Sequence, residues 1–373
     1  MLARMGTSDF GTRPDMSIKW GRGPMVCEWL AELRKCAARS NSSGIIIFIS
    51  FHARVKKFNR IKCGRGPMIC EWLAELRKCA ARSNSSGIII LELYSIIIFI
   101  PGGAVLIADS HIHSSFSADS DAPMEEMIRR GISLGLSSMC FTEHMDRDFP
   151  DDPNHDFEVD TGTYYQEFLR LKDLFAGQID LRFGIELGLE PRLAASHHTY
   201  LASWPFDYVI GSSHLIDGED PYYPSYYEGK DEAACYRRYF ESVLENLQTF
   251  GEMDAYGHLD YVVRYGPSKN AHYTYEAYAD LLEPILDMLI EKQTALELNT
   301  AGFKYGLGHP NPHEDILRRY REKGGELITV GSDAHAPEHL AFDFSKVGSI
   351  LQNAGFRYYT IFRNRNPIML PFA

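Results

Sequence analysis

The chain has 373 residues, with 38 Lys or Arg against 50 Asp or Glu and a formal net charge of −12. That length holds one large domain or two ordinary ones, and the composition is that of a soluble globular protein. Residues 1–103 carry 16 basic and 7 acidic side chains, whereas 104–373 carry 22 and 43, a net −21 that disfavours nucleic acid and anionic membrane as partners of the body.

A small anion remains compatible with this charge if bound cations reverse its sign locally. The seven cysteines form no CxxC pair, and five of them fall in the first 103 residues. A thiolate zinc site and a disulfide framework therefore both lack support, and the expected compartment is a reducing cytoplasm. The longest apolar run, Ile88 to Pro101, is interrupted by Glu92 and is shorter than the about 20 residues a membrane span requires.

In the first hundred residues, 18–47 recur at 61–90 with two differences in thirty, Trp20 against Cys63 and Val26 against Ile69. Copies this similar indicate a recent duplication rather than a solenoid, which needs three or more diverged units. CEWLAELRKCAARS predicts a short amphipathic helix, and GIIIFIS and IIILELYSIIIFI predict sticky strands. No residue constellation here carries chemistry. We read residues 1–103 as an appendage outside the catalytic fold, consistent with a misplaced translation start, and 104–373 as the catalytic domain.

From Ala104 onward, strand and helix patterns alternate as in parallel β/α units. The predicted strands are AVLIAD, SSMCFTEH, LRFGIELGL, FDYVIGSSH, MDAYGHLD, TALELNT and ELITVGSDAH. Helices are predicted over Ala122–Gly135, Tyr164–Phe175, Pro191–Ala202, Glu232–Leu247, Tyr275–Lys292 and Glu314–Lys323, and GFRYYTIF adds a last βα-like segment. Seven or eight such units in about 270 residues fit a (β/α) barrel, which runs to about 250 residues. A doubly wound open sheet is the alternative.

Metal-type residues sit where the apolar runs end. His111 and His113 alternate on a strand and so face one way; they end the first strand. Glu143 and His144 end the second, Glu186 the third, His214 the fourth, His258 the fifth, Asn299 the sixth, and Asp333 with His335 the seventh. In a barrel the C-terminal strand ends share one face, so these scattered residues converge. The remaining histidines, His52, His155, His197, His198, His272, His309, His313 and His339, lack this placement and read as packing or surface residues.

The ordered stretches SHIHSSFSADS, GLSSMCFTEH, FGIELGLEP, GSSHLIDG, YGHLDYVVRYG and VGSDAH resemble those of the polymerase-and-histidinol-phosphatase (PHP) family, in its histidinol-phosphatase branch, from about Ile107 to Ile361. The resemblance implies a distorted (β/α)7 barrel with a trinuclear metal centre that hydrolyses L-histidinol phosphate, a step of histidine biosynthesis. It implies a first ion on His111, His113, Glu186 and Asp333, and a second on Glu186, His214 and His258. The third ion falls to His144, His335 and Asp119, where the family usually has a histidine. A nitrogen and oxygen donor set suits Zn, Mn or Fe. A hydroxide bridging the first two ions is expected to attack phosphorus, with Asp333 relaying its proton.

For the phosphate, Arg264 is the first candidate fork and Arg237 or Arg238 the second. Each has a solvated helix-face charge as its plain alternative. Glu143 and Asn299 are candidates for substrate contact, with ligand support or a strand-end turn as alternatives. The aromatic run Pro221–Tyr227 is expected to cover the pocket, with a plain surface loop as the alternative. A PHP-type phosphoesterase or nuclease acting on another phosphate ester is the rival function, and one acting on nucleic acid would need a basic track or stacking aromatics for a strand.

Overall fold

The computed structural model describes residues 47–49, 54–55, 89–90, 96–98, 108–150 and 157–372. Early in the chain, Ile47–Ile49 pairs antiparallel with Ile96–Ile98, and Arg54–Val55 with Ile89–Ile90. Within the isoleucine-rich runs only 47–49, 89–90 and 96–98 are described, and these are strand. The repeated helices, His52 and His155 lie outside the described residues.

The body is a seven-stranded parallel sheet: β1 (Ala108–Ile112), β2 (Ser138–Met145), β3 (Asp180–Gly188), β4 (Tyr208–Ser212), β5 (Ala255–Tyr256), β6 (Ala295–Asn299) and β7 (Ile328–Gly331). Strands neighbour one another in sequence order. This rules out a doubly wound sheet, whose order reverses at a switch point. The ends meet where the Ile112–Ala334 bridge, His113 N donating to Ala334 O at 2.9 Å and Asp333 N donating to His111 O at 2.9 Å tie the segment after β7 to β1. The result is a nearly closed (β/α)7 barrel.

The outer helices are α1 (Met124–Leu134), α2 (Thr161–Leu174), α3 (Ala194–Leu201), α4 (Glu232–Thr249), α5 (Ala279–Glu291), the short α6 (Ala301–Lys304), α7 (Glu314–Glu322) and α8 (Phe344–Asn353). The apolar pattern places the start of α2 at Tyr164, but Asp160 moves it forward, because its side chain accepts from Gly162 N and Thr163 N as an N-cap. Strand residues alternate between layers. Phe183 points outward against Tyr164, Tyr165, Phe168 and Phe206. Its neighbours Arg182 and Glu186 turn into the barrel, bonding Ser138 at one end and His111 at the other.

The C-terminal segment departs from the expected βα unit. Tyr358–Arg363 (β8) and Asn366–Pro371 (β9) form an antiparallel hairpin outside the barrel sheet. The turn Asn364-Arg365 makes this possible, both residues having positive φ. The hairpin closes the barrel at the N-terminal ends of the strands: Phe362 stacks on Tyr208 and packs with Cys140, Ile210, Ala255 and Ala295. The opposite end is left for chemistry.

Closure depends on one buried carboxylate. Asp109 accepts from Ser332 N (2.9 Å), Ser332 Oγ (2.5 Å) and Ala341 N (3.0 Å), joining β1 to the chain beyond β7. Asp109→Ala strands these donors, and a loss of about 2–4 kcal/mol is expected in urea unfolding of the metal-free protein beside wild type.

Candidate metal centre

Glu186, near the end of β3 and fully buried, is the hub of the open end. Its Oε1 lies 3.0 Å from His258 Nε2 and 3.4 Å from His214 Nε2, and accepts from Ser212 Oγ at 2.6 Å. Its Oε2 lies 3.1 Å from His111 Nε2, 3.3 Å from His113 Nε2 and 3.4 Å from His144 Nδ1. The two oxygens thus face different sets of imidazoles. Asp333 Oδ1 stands 3.6 to 3.8 Å from His335 Nδ1, His113 Nε2 and His111 Nε2. Asp119 Oδ2 lies 3.1 Å from His335 Nε2 and 3.7 Å from His144 Nε2.

Four overlapping groups have donor atoms close enough to share a cation: His111–His113–Glu186, His111–His258–Asp333, His144–Glu186–His214 and His113–His144–His335. Eight of the nine expected metal residues fall in these groups; the ninth, Asp119, is in none of them and reaches the cluster through His335 and His144. The grouping differs in part from the expected division, since His113 also stands with His144 and His335, and His258 with His111 and Asp333.

The ring tautomers fit metal binding. His111 Nδ1 donates to Glu297 Oε1 at 2.7 Å, His214 Nδ1 to Asp146 Oδ1 at 2.6 Å, and His113 Nδ1 to Ser117 Oγ at 3.0 Å. Ser117 spends its own proton on Glu143 Oε2, 2.6 Å away. Each ring thereby turns Nε2 inward, the nitrogen that coordinates once its proton is displaced. The Nε2 atoms of His111 and His113 stand 3.1 Å apart, close to the roughly 3–3.4 Å between two nitrogens that share one ion at about 2.0–2.1 Å. His335 Nε2 is buried and faces Asp119 Oδ2 at 3.1 Å. In the metal-free protein a proton on the raised His111 ring bridges the His111–His113 pair, and a divalent ion can take that proton's place between the two nitrogens.

Charge is balanced within the cluster. Burial opposes charge on His214, but Asp146 and Glu186 override it and raise the ring to about 10. His111 and His144 are likewise raised by neighbouring carboxylates against the effect of burial. Burial and the rings of His335 and His144 lower His113. Asp333 is held well below the usual carboxylate range, because His111 and Arg264 outweigh its burial. Asp333 also has φ 53°, a strained conformation for a non-glycine residue and one that occurs at working sites.

The remaining candidates divide. Arg264 is buried beside the cluster: Nη1 donates to Asp333 Oδ2 (2.8 Å), Nη2 to Asn299 Oδ1 (3.0 Å) and Nε to Asn311 Oδ1 (2.8 Å). Asn299 spends its atoms on Arg264, Ala301 N and Glu297, which is the geometry of a strand-end brace. Glu143 faces away from the barrel interior and clamps the turn after β1, accepting from Ser114 N, Ser114 Oγ and Ser117 Oγ. Arg237 and Arg238 are not drawn into the cluster. Arg237 pairs with Asp280, and Arg238 with Asp217 and Glu245, all in exposed contacts.

The profile of the PHP domain matches residues 109–301. A histidinol-phosphatase of Lactococcus lactis is 33% identical over 258 residues, 68% of this chain and 93% of that protein. A probable histidinol-phosphatase of Thermotoga maritima is 32% identical, over 68% of this chain and 94% of its own length. The chain belongs to the PHP family. Within that family it sits in the histidinol-phosphatase branch. The crystal structure of the Lactococcus lactis histidinol phosphate phosphatase, complexed with zinc, L-histidinol and phosphate, superposes with a TM-score of 0.65 at 32% identity, covering 70% of this chain and 98% of that one. A Listeria monocytogenes structure described as a putative histidinol phosphatase, 18% identical with a TM-score of 0.57, shares the fold and covers 64% of this chain and 99% of its own.

The PHP profile ends at 301, and closure of β7 onto β1 is what brings Asp333 and His335 to the same mouth. Sequence reasoning missed Glu297, Asp146, Ser117 and Lys304. The first two were findable: Glu297 lies two residues before Asn299 and Asp146 two after His144, so strand alternation puts each on the inward face. Lys304 gave no such signal. It is the last residue of α6, and its Nζ lies 3.3 Å from Asp333 O.

Glu297→Ala frees the His111 ring, and zinc affinity measured by competition with a chromophoric chelator is expected to fall about 10–100-fold. With His214 held near 10, at least one ligand ring of the metal-free protein is protonated at neutral pH. Zinc must displace that proton, so zinc addition at pH 7 is expected to release protons in a pH-stat, and affinity to climb as pH rises from 6 to 9.

Proposed function

We propose that residues 104–373 are a metal-dependent phosphomonoesterase that hydrolyses L-histidinol phosphate to L-histidinol and phosphate, and that residues 1–103 take no part in the catalytic fold. The observation that carries this reading is Glu186, whose two oxygens divide between them five of the six imidazoles gathered at the mouth of the barrel. The likeness to Lactococcus lactis histidinol-phosphatase, solved with zinc, L-histidinol and phosphate, supports the substrate. The −21 body and the engaged Arg237 and Arg238 offer a nucleic-acid strand no basic track.

We assign His111, His113, Glu186 and Asp333 to a first ion and Glu186, His214 and His258 to a second. Asp119, His144 and His335 hold a third. When bound, such ions supply charge neutralisation for the phosphoryl oxygens and acidify water toward a pKa of about 7. Asp333 Oδ1 faces the cluster while Arg264 fixes Oδ2, so Asp333 orients water and carries its proton to the departing alkoxide. Arg264 keeps unspent N–H groups on both terminal nitrogens, and with the Lys304 ammonium it grips the phosphate.

Purified protein loaded with Mn or Zn is expected to release phosphate from L-histidinol phosphate and to leave short oligonucleotides intact; the reverse outcome contradicts the reading. Asp333→Asn should lower kcat by about 10²–10⁴-fold with circular dichroism unchanged. Lys304→Ala should raise KM about tenfold, the cost of one charge-assisted contact.

A further inference from the structure

We propose that Asp220 and Tyr222 form the subsite that receives the cationic, aromatic end of the substrate, opposite its phosphate; this rests on the activity proposed above. Two loops rise beside the cluster, one leaving the barrel at His214 and the other at His258, and they pack on each other. Tyr261, from the second loop, touches both histidines, its ring centroid 5.5 Å from that of His214 and 5.1 Å from that of His258. Its hydroxyl reaches outward to Asp220 Oδ1 at 3.4 Å. Asp220 thus stands one ring's width from the cluster, on the rim.

From the same base a strip of aromatic rings continues to solvent. Tyr261 meets Tyr265 edge-on at 5.0 Å, and Tyr265 meets Tyr222 at 5.2 Å. The Tyr222 side of the strip is open, with 55% of that residue exposed. An exposed tyrosine fixed edge-on against a half-buried one offers its face to a planar ligand at little entropic cost.

Asp220 supplies the charge. Its Oδ1 accepts from Tyr222 N at 2.8 Å, which fixes the carboxylate relative to the ring. Its Oδ2 has no partner among the described residues, and no Lys or Arg pairs with it there. Burial pushes the carboxyl up to about 6, with only partial relief from the Tyr222 amide and the His214 ring. A half-buried carboxylate with one free oxygen beside an open aromatic face fits an ammonium group joined by a short chain to an imidazole. L-Histidinol phosphate carries both groups a few bonds from its phosphate. The aromatic run Pro221–Tyr227 therefore splits its tasks: Tyr226 and Tyr227 are buried and anchor the loop, Tyr227 Oη donating to Val262 O at 3.1 Å, while Tyr222 faces the ligand.

The test compares kcat/KM on L-histidinol phosphate and on p-nitrophenyl phosphate, which lacks the amine, using metal-loaded full-length protein. Asp220→Asn keeps the acceptor for Tyr222 N and removes the charge. It should lose at least about tenfold more on L-histidinol phosphate than on the nitrophenyl ester, and the loss should appear in KM. Tyr222→Ala, a change at an exposed side chain that the fold tolerates, should also raise KM for L-histidinol phosphate. Equal losses on both esters, or no loss on either, overturn this assignment and leave the proposed activity standing. Wild-type protein that cleaves only the nitrophenyl ester overturns both.

Discussion

A carboxylate with no exposure to water, set among imidazoles at the open end of a barrel, is the constraint on which the rest of this structure depends. Glu186 is charged in a place where charge is costly, and every element around it offsets that cost. Strand alternation supplies the first compensation, because β1, β2 and the segments after β4 and β5 each turn a histidine toward one of its oxygens. What the imidazoles leave unbalanced is a set of inward nitrogen and oxygen lone pairs, and that remainder is what a divalent ion takes up. Phosphate chemistry follows, since the same positive charge that settles Glu186 attracts a dianionic ester into an otherwise acidic body.

The outer ring of partners makes the cluster rigid before any ion arrives. Glu297, Asp146 and the Ser117–Glu143 pair each hold one imidazole by the nitrogen that faces away from the centre. Glu297 also accepts from His258 N, so one carboxylate sets both a ring and a backbone. Gly331 leaves the space for this: a Cβ there would collide with His111 Cβ and Glu297 Oε1. Such preorganisation lets binding energy go into the transition state rather than into assembling the site.

Much of this was legible in the sequence because the barrel writes its site in a two-residue period at strand ends. His111 with His113, His144, Glu186, His214 and Asp333 could be placed from that rule alone, and the nearly closed sheet brings them to one mouth. The rule has limits that are physical. It locates side chains on strands, so the inward face of β6 should have yielded Glu297, but it says nothing of Lys304 on a one-turn helix or of loops that fold over the mouth. Arg237 and Arg238 looked like phosphate forks because paired arginines do bind anions; α4 instead turns them to carboxylates at the surface. The last strand pattern, GFRYYTIF, read as another βα unit, since a hairpin that plugs the barrel and a strand that joins it bury the same apolar residues.

The central claim is that the gathered side chains exist to hold catalytic cations, and metal counting during stepwise chelation tests it most directly. Elemental analysis of purified, active protein should find about three divalent ions per chain, in line with a multi-ion phosphatase site. Phosphate release from L-histidinol phosphate should fall with their removal and return when Zn, Mn or Fe is added back. Full activity in a protein from which elemental analysis detects no metal would contradict the account.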